Sequence, residues 1–139
     1  MSDEKTERLD FSYYLPVNII FGCGKADLAG SLAKKYGERA LIVTGQSSAK
    51  KSGLYDRVAS SLEQSGMSHL LFDKVTQNPL TTTAEEGASL ARENNCDVII
   101  GIGGGSIMDC AKAIAFLAVN KGDINDYIYN RQKSENALP

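Results

Sequence analysis

The strongest chemical signal in this chain is the run Gly101-Ile102-Gly103-Gly104-Gly105-Ser106. It stands directly after an apolar segment and directly before a helical pattern. Glycines at such a junction let the backbone turn sharply and let an anion approach the main chain with no Cβ in the way. A helix that starts at Ser106 offers unpaired N–H groups and a partial positive charge, which is the chemistry of phosphate binding. The spacing departs from G-x-G-x-x-G, because Ser106 stands where the last glycine would be. No Gly-Lys-Ser/Thr follows, so the run is not a P-loop. A tight strand-to-helix turn accounts for the same glycines without any ligand.

Asp109 lies three residues after Ser106. That is the spacing of a capping box, in which Ser106 caps the helix and the carboxylate returns to its N–H. The competing reading is a carboxylate at the edge of a ligand site. Lys112 follows at helical pairing distance from Asp109, which predicts a solvated ion pair. The turn Gly45-Gln46-Ser47-Ser48-Ala49-Lys50-Lys51 follows a second apolar run. In a dinucleotide-binding sheet an acidic residue there holds the adenosine ribose hydroxyls. Here glycine, serines and lysines occupy the turn, a composition that admits a 2′-phosphate. A solvated polar loop is the equal alternative. Asn78 and Pro79 fall in a loop on the same expected edge, or in a plain turn. His69 reads as an ordinary strand residue and Cys110 as core.

These residues need elements to position them. Phe11–Leu15 and Val17–Phe21 read as strands around Pro16, followed by a helix over Ala26–Tyr36 with Leu28, Leu32 and Tyr36 on one stripe. Arg39–Thr44 is a short apolar run bounded by turn residues, hence a buried strand. Leu54–Ser65 is a helix, His69–Phe72 a strand, and Val75–Pro79 a loop, because Asn-Pro disfavours helix at Asn78. Thr82–Asn94 is an amphipathic helix, Asp97–Gly101 a buried strand, and Ser106–Val119 the last helix before a polar tail from Asn120. Strands alternating with helices predict an α/β fold: a Rossmann-like parallel sheet with helices on both faces. The strand C-termini then share one edge, where ligands bind.

Composition bounds the function. The chain has 139 residues and a formal net charge of −2, so no excess of positive charge neutralises a nucleic acid. Residues 1–10 are polar and are expected to be a flexible N-terminus, leaving residues 11–139 as one domain. The three cysteines, Cys23, Cys96 and Cys110, form no C-x-x-C pair, a pattern that suits a reducing compartment better than a disulfide scaffold or a zinc knuckle. One histidine, His69, cannot build a multi-imidazole metal site. The apolar stretch Val98–Val119 is broken by glycines, Asp109 and Lys112, so it is not a membrane span.

Gly101–Ala115, GIGGGSIMDCAKAIA, resembles the G-x-G-G-G-S-x-x-D-x-A-K signature of iron-containing (group III) alcohol dehydrogenases. Pro16–Gly24 (PVNIIFGCG) resembles that family's opening strand pair and turn, and ALIVTGQSSAKKSG its second strand and adenosine loop. VTQNP stands where the family has a V-x-P-N-P-like segment, with Gln77 replacing the first proline, and GDINDYI also fits. The likeness covers about Phe11 to Pro139.

The resemblance implies roles by position. Gly103, Gly104, Gly105 and Ser106 would hold the pyrophosphate of NAD or NADP. Gly45 and Ser47 would border the adenosine ribose, and Gly45, where NAD-preferring members carry aspartate, leans toward NADP. Asn78 would lie along the cofactor near its nicotinamide half, and Asp109 beside the cofactor and cleft. Family members are cytoplasmic, often homodimeric enzymes that interconvert alcohols with aldehydes or ketones by hydride transfer. Beyond Pro139 the family would continue into another strand, a Thr-rich loop and an all-helical domain. That domain's aspartate and three histidines bind Fe²⁺ or Zn²⁺. The expectation is therefore the NAD(P)-binding portion of a metal-dependent alcohol dehydrogenase, truncated before the metal-binding domain and inactive alone. It carries no catalytic or metal-ligating residue of its own, and neither nucleic acid nor membrane is a partner. The alternative is a non-catalytic dinucleotide-binding module or an inactive remnant.

Overall fold

Strand β1 (Arg39–Gly45) forms the centre of the protein, with Ala40 through Thr44 wholly removed from solvent. The computed structural model describes residues 10–128. β1 pairs in parallel with β2 (Ser68–Val75) on one side and β3 (Val98–Ile102) on the other, in the order β2-β1-β3. The register sets Leu41 opposite both Leu70 and Ile99. Near-continuous apolar strands of this kind require cover on both faces, and they have it.

On one face Leu41 and Val43 pack against Ala84, Ala88 and Ala91 of α4 (Thr81–Glu93) and Cys110, Ile114 and Leu117 of α5 (Gly105–Val119). On the other, Ala40 and Ile42 meet α1 (Ala29–Ala33), α2 (Ser48–Lys51) and α3 (Leu54–Gln64) through Ala33, Ala49, Val58 and Leu62. The expected α/β sheet with helices on both faces is thus present. α1 approaches α3 closely because Gly30 has no Cβ: one there would collide with the Ser61 carbonyl. The Gly30 amide donates to Ser61 Oγ at 2.9 Å, and that hydroxyl donates on to the Asp27 carbonyl at 2.6 Å.

Several expectations change. Phe11–Leu15 and Val17–Phe21 are not strands; a strand needs a ladder partner, and β1 pairs only with β2 and β3. This segment is exposed throughout, with Phe21 94% accessible. The helix expected over Ala26–Tyr36 splits into a 3₁₀ turn (Lys25–Leu28) and α1, with Leu28 and Tyr36 exposed. Its buried contacts are Gly30 and Ala33, so close helix packing, not the larger apolar stripe, decides its orientation. β2 runs on to Val75 because pairing with Gly45 extends it. The polar turn after β1 winds into α2, and a short helix α6 (Ile124–Ile128) follows α5. The expected flexible segment, apart from Asp10, lies outside the described residues, as does the chain after Ile128. Among the described residues no helix is long and apolar enough to cross a membrane.

Candidate functional site

The sheet order changes direction at β1: the chain goes to β2 on one side and returns to β3 on the other. In open α/β sheets the crevice beyond the strand C-termini at such a point is where ligands bind. Here it is bounded by the segment after β1, beginning at Gly45, and the segment after β3, beginning at Gly103. Thr44 lies opposite Ile102 in the ladder, so the two loops leave the sheet side by side. A Cβ on Gly45 would stand 3.5 Å from Ile107 Cδ1 in the first turn of α5, 3.5 Å from the Val75 carbonyl and 4.0 Å from Ser48 Oγ.

The glycines between β3 and α5 have separate jobs. A Cβ on Gly101 would touch the Ala111 methyl at 3.0 Å, so this residue lets α5 lie close on β3. Gly103 makes the turn: its φ of 155° is disfavoured for other residues, and a Cβ there would meet Ile107 Cγ1 at 2.5 Å. Gly104 and Gly105 differ, since a Cβ on either would meet nothing within 4 Å. Neither fold nor packing demands glycine at those two positions, yet the backbone is left bare. The open side lies over the start of α5, where N–H groups lack intrahelical partners and the helix dipole is positive. Gly104 is the N-cap, and no side chain caps this end.

That finding corrects the capping-box expectation. Ser106 is the second residue of α5 and does not cap it, and Asp109 pairs forward with Lys112 Nζ at 3.4 Å. Both side chains are more than three-quarters exposed, 77% for Asp109 and 78% for Lys112, as a solvated pair should be. Asp109 borders a shallow cleft of about 150 Å³ that Pro79, Leu80 and Ile124 also line, with Cys110 at its buried end. Burial pushes the Cys110 thiol above its ordinary value, so it forms a neutral wall. Asn78 immediately precedes this cleft in sequence and is exposed, with φ 54°, a left-handed conformation that asparagine tolerates.

The fold therefore brings Gly45, Gly103, Gly104, Gly105 and Ser106 to one edge, and Asp109 to a cleft beside Pro79. Ser47 stands exposed at the start of α2, its side chain making no capping bond. The sequence marks Lys50 as part of the polar turn after β1 but not its partner: Lys50 Nζ lies 2.5 Å from Asp73 Oδ2 on β2. The Lys50 hydrogen bond holds the Asp73 carboxyl below the ordinary range, outweighing partial burial. Only the parallel pairing of β2 with β1 carries Asp73 to that end, so no local signal marked it. Among the described residues, no group of three or more His, Cys, Asp or Glu side chains could hold a metal ion.

The family model described as iron-containing alcohol dehydrogenase matches residues 16–139. NADH-dependent butanol dehydrogenase A of Clostridium acetobutylicum is 40% identical over 131 residues, covering 94% of this chain and 34% of that protein. The solved NADH-dependent butanol dehydrogenase A of Thermotoga maritima matches with a TM-score of 0.87 at 34% identity, over 94% of this chain and 33% of that one. Sulfoacetaldehyde reductase of Bifidobacterium kashiwanohense, solved with NAD⁺, matches with a TM-score of 0.82 at 28% identity, over 94% and 35%. The chain spans about a third of the length of these relatives.

Proposed function

The chain belongs to the iron-containing alcohol dehydrogenase family, and from that premise we propose that residues 11–139 form a domain that binds a nicotinamide dinucleotide. The observation that carries this reading is the bare backbone at Gly104 and Gly105, open to solvent over the uncapped start of α5. A pyrophosphate fits such a cradle, because its oxygens need close N–H donors and positive potential, and a Cβ would stand in their way. Gly103 shapes the turn, and the Gly104, Gly105 and Ser106 amides hold the pyrophosphate. Gly45 and Ser47 border the adenosine ribose. Asn78 and Asp109 flank the path of the nicotinamide half, toward the Pro79 cleft.

A bound nicotinamide would supply hydride transfer between an alcohol and its aldehyde or ketone, the chemistry proposed for the whole enzyme. The residues of this chain bind and orient the cofactor for that step. Iron, named in the family description, does not fit the described residues: the donor cluster it needs is not among them.

The finer reading is a site that admits NADPH, since no carboxylate follows β1 between Gly45 and Lys51. The butanol dehydrogenases named above are NADH-dependent, which sets the opposite expectation. A cytoplasmic homodimer completes the proposal, with the exposed apolar residues of the Phe11–Phe21 segment as the surface a second copy covers.

Calorimetric titration of the 139-residue chain with NADH and, separately, NADPH tests the reading. Saturable binding of either supports it. A folded chain that binds neither overturns it.

A further inference from the structure

We propose that the open edge of β2, with the stripe of α4 beside it, docks a short extended peptide that carries an apolar residue and, two positions away, a lysine or arginine.

β2 ends the sheet order β2-β1-β3, across β1 from the glycine loop after β3. β1 takes one of its edges, and no described strand takes the other. An unpaired strand edge presents N–H and C=O groups to whatever lies alongside. Alongside this one runs a groove of about 270 Å³. Residues 71–74 of β2 form one wall. Successive side chains of a strand point to opposite faces, so four in a row reach one groove only from the strand edge. Glu86, Leu90 and Glu93 of α4 help form the other wall, and their spacing of four and three places them on one stripe of the helix. Seven residues of helix span about 10 Å, as do three steps along a strand, so the two walls match in length.

The chemistry of the groove selects its occupant. Its floor is apolar, with Phe72 buried and Leu90 half-buried. Its rim is acidic: Asp73, Glu86 and Glu93 stand against Lys74 alone. Lys74 pairs with Glu86, and Asp73 with Lys50. Glu93 is exposed and has no ionic partner among the described residues. In a strand added to this edge, residues two apart face α4 and lie about 7 Å from each other. One meets Leu90 and Phe72, and a cationic one reaches Glu93. Main-chain bonds to β2 supply the attachment and these two side chains the selectivity, which is recognition by strand addition.

Two observations favour a peptide over a second copy of β2. The ladder with β1 shifts register between Val43 and Gly45, where Asp73 and Lys74 together oppose Thr44. Such a bulge bends the strand, and its charges break the edge, so only a few residues can be matched. A second copy would also bring the same acidic rim against this one.

The test is a titration of the full 139-residue chain, followed by amide NMR, with the capped pentapeptide Thr-Val-Thr-Lys-Thr and its counterpart with glutamate in place of lysine. Shifts should concentrate at residues 71–74 and on α4, and the lysine peptide should bind about threefold tighter or better. A fully N-methylated lysine peptide, which cannot donate to the strand edge, should not bind. Glu93→Lys should reverse the preference, a gain that a damaged fold cannot produce. Asp56→Lys, on α3 across the sheet, makes the same change in net charge and should leave the preference as it is. Absence of saturable binding, shifts centred elsewhere, a preference unmoved by Glu93→Lys, or one moved equally by Asp56→Lys each overturns the proposal. Self-association of the chain that protects the same β2 amides makes a second copy the occupant and overturns it too.

Discussion

Gly103 and Ile107 are fitted to each other: Ile107 Cγ1 fills the space 2.5 Å from where a Cβ on Gly103 would stand, and the turn at Gly103 carries a φ of 155°. One residue later, at Gly104, the corresponding direction is empty. The same loop therefore contains a glycine required by the fold and a glycine the fold does not require.

Substitutions should separate the two. Gly103→Ala should cost about 1–3 kcal/mol in stability, from backbone strain and overpacking against Ile107. Gly104→Val should leave the melting temperature nearly unchanged and weaken dinucleotide binding by about tenfold or more, because the branched side chain occupies the open side. Thermal denaturation and titration of both variants check this. Unaltered affinity in folded Gly104→Val removes the cradle from the site.

Gly30→Ala should destabilise the protein by about 1–3 kcal/mol, since the added methyl would drive α1 off the Ser61 carbonyl and strain the Gly30 amide bond to Ser61 Oγ. Denaturant unfolding measures the cost. α1 lies on the face of the sheet that carries α3, so the glycine loop should keep its affinity once the variant is folded.

Asp109→Asn distinguishes a surface pair from a ligand contact. The Asp109–Lys112 pair is solvated, so breaking it should change stability by less than about 0.5 kcal/mol. Lys112→Ala should match it in stability. A loss of dinucleotide affinity in Asp109→Asn alone supports a place beside the cofactor; equal affinities in both variants and the wild type leave Asp109 an ordinary surface residue.

The thiols should react in two classes. Cys23 is exposed, whereas Cys96 and Cys110 are buried, and desolvation raises both buried thiols. A thiol reagent at mildly alkaline pH should modify Cys23 rapidly and the other two only on unfolding. The sign for stability follows: a group with a raised folded value favours the folded state at lower pH. Its contribution is intact below the unfolded thiol value near about 8.5 and is lost as pH rises through the folded value. Melting temperature should fall above that point, and less so in Cys110→Ala once its own packing loss is subtracted.

Much of this was legible in the chain itself because its signals are local. Arg39–Thr44 and Asp97–Gly101 are apolar runs between turn residues, and each became a strand within one residue of the expected bounds; β1 is buried as expected, whereas β3, paired on one side only among the described strands, leaves Ile99 and Ile100 half-buried and Gly101 exposed. The glycine run announced a strand-to-helix junction because few other sequences make one so short. The rest depended on partners. Phe11–Phe21 has the composition of strands, but composition supplies no ladder neighbour. Ser106 and Asp109 have capping-box spacing, but the glycine turn moved the helix start back to Gly105 and left Gly104 as the N-cap. Lys50–Asp73, Arg57–Asp27 and Gly30–Ser61 join residues from separate elements, and only the assembled sheet decides which of many charges and hydroxyls meet.

The position of β1 between its two neighbours also fixes the order of events during synthesis. β1 leaves the ribosome before either partner exists. β2 follows one helical connection later, and β3 only after another. In the interval, one long apolar margin of β1 has nothing to bind, an arrangement prone to stray association. Closing it requires a search over a large sequence separation, which slows folding. The glycine loop follows β3, so the proposed anion cradle forms only once β3 has joined β1. Docking of β3 on β1 and the shaping of that cradle are therefore one event.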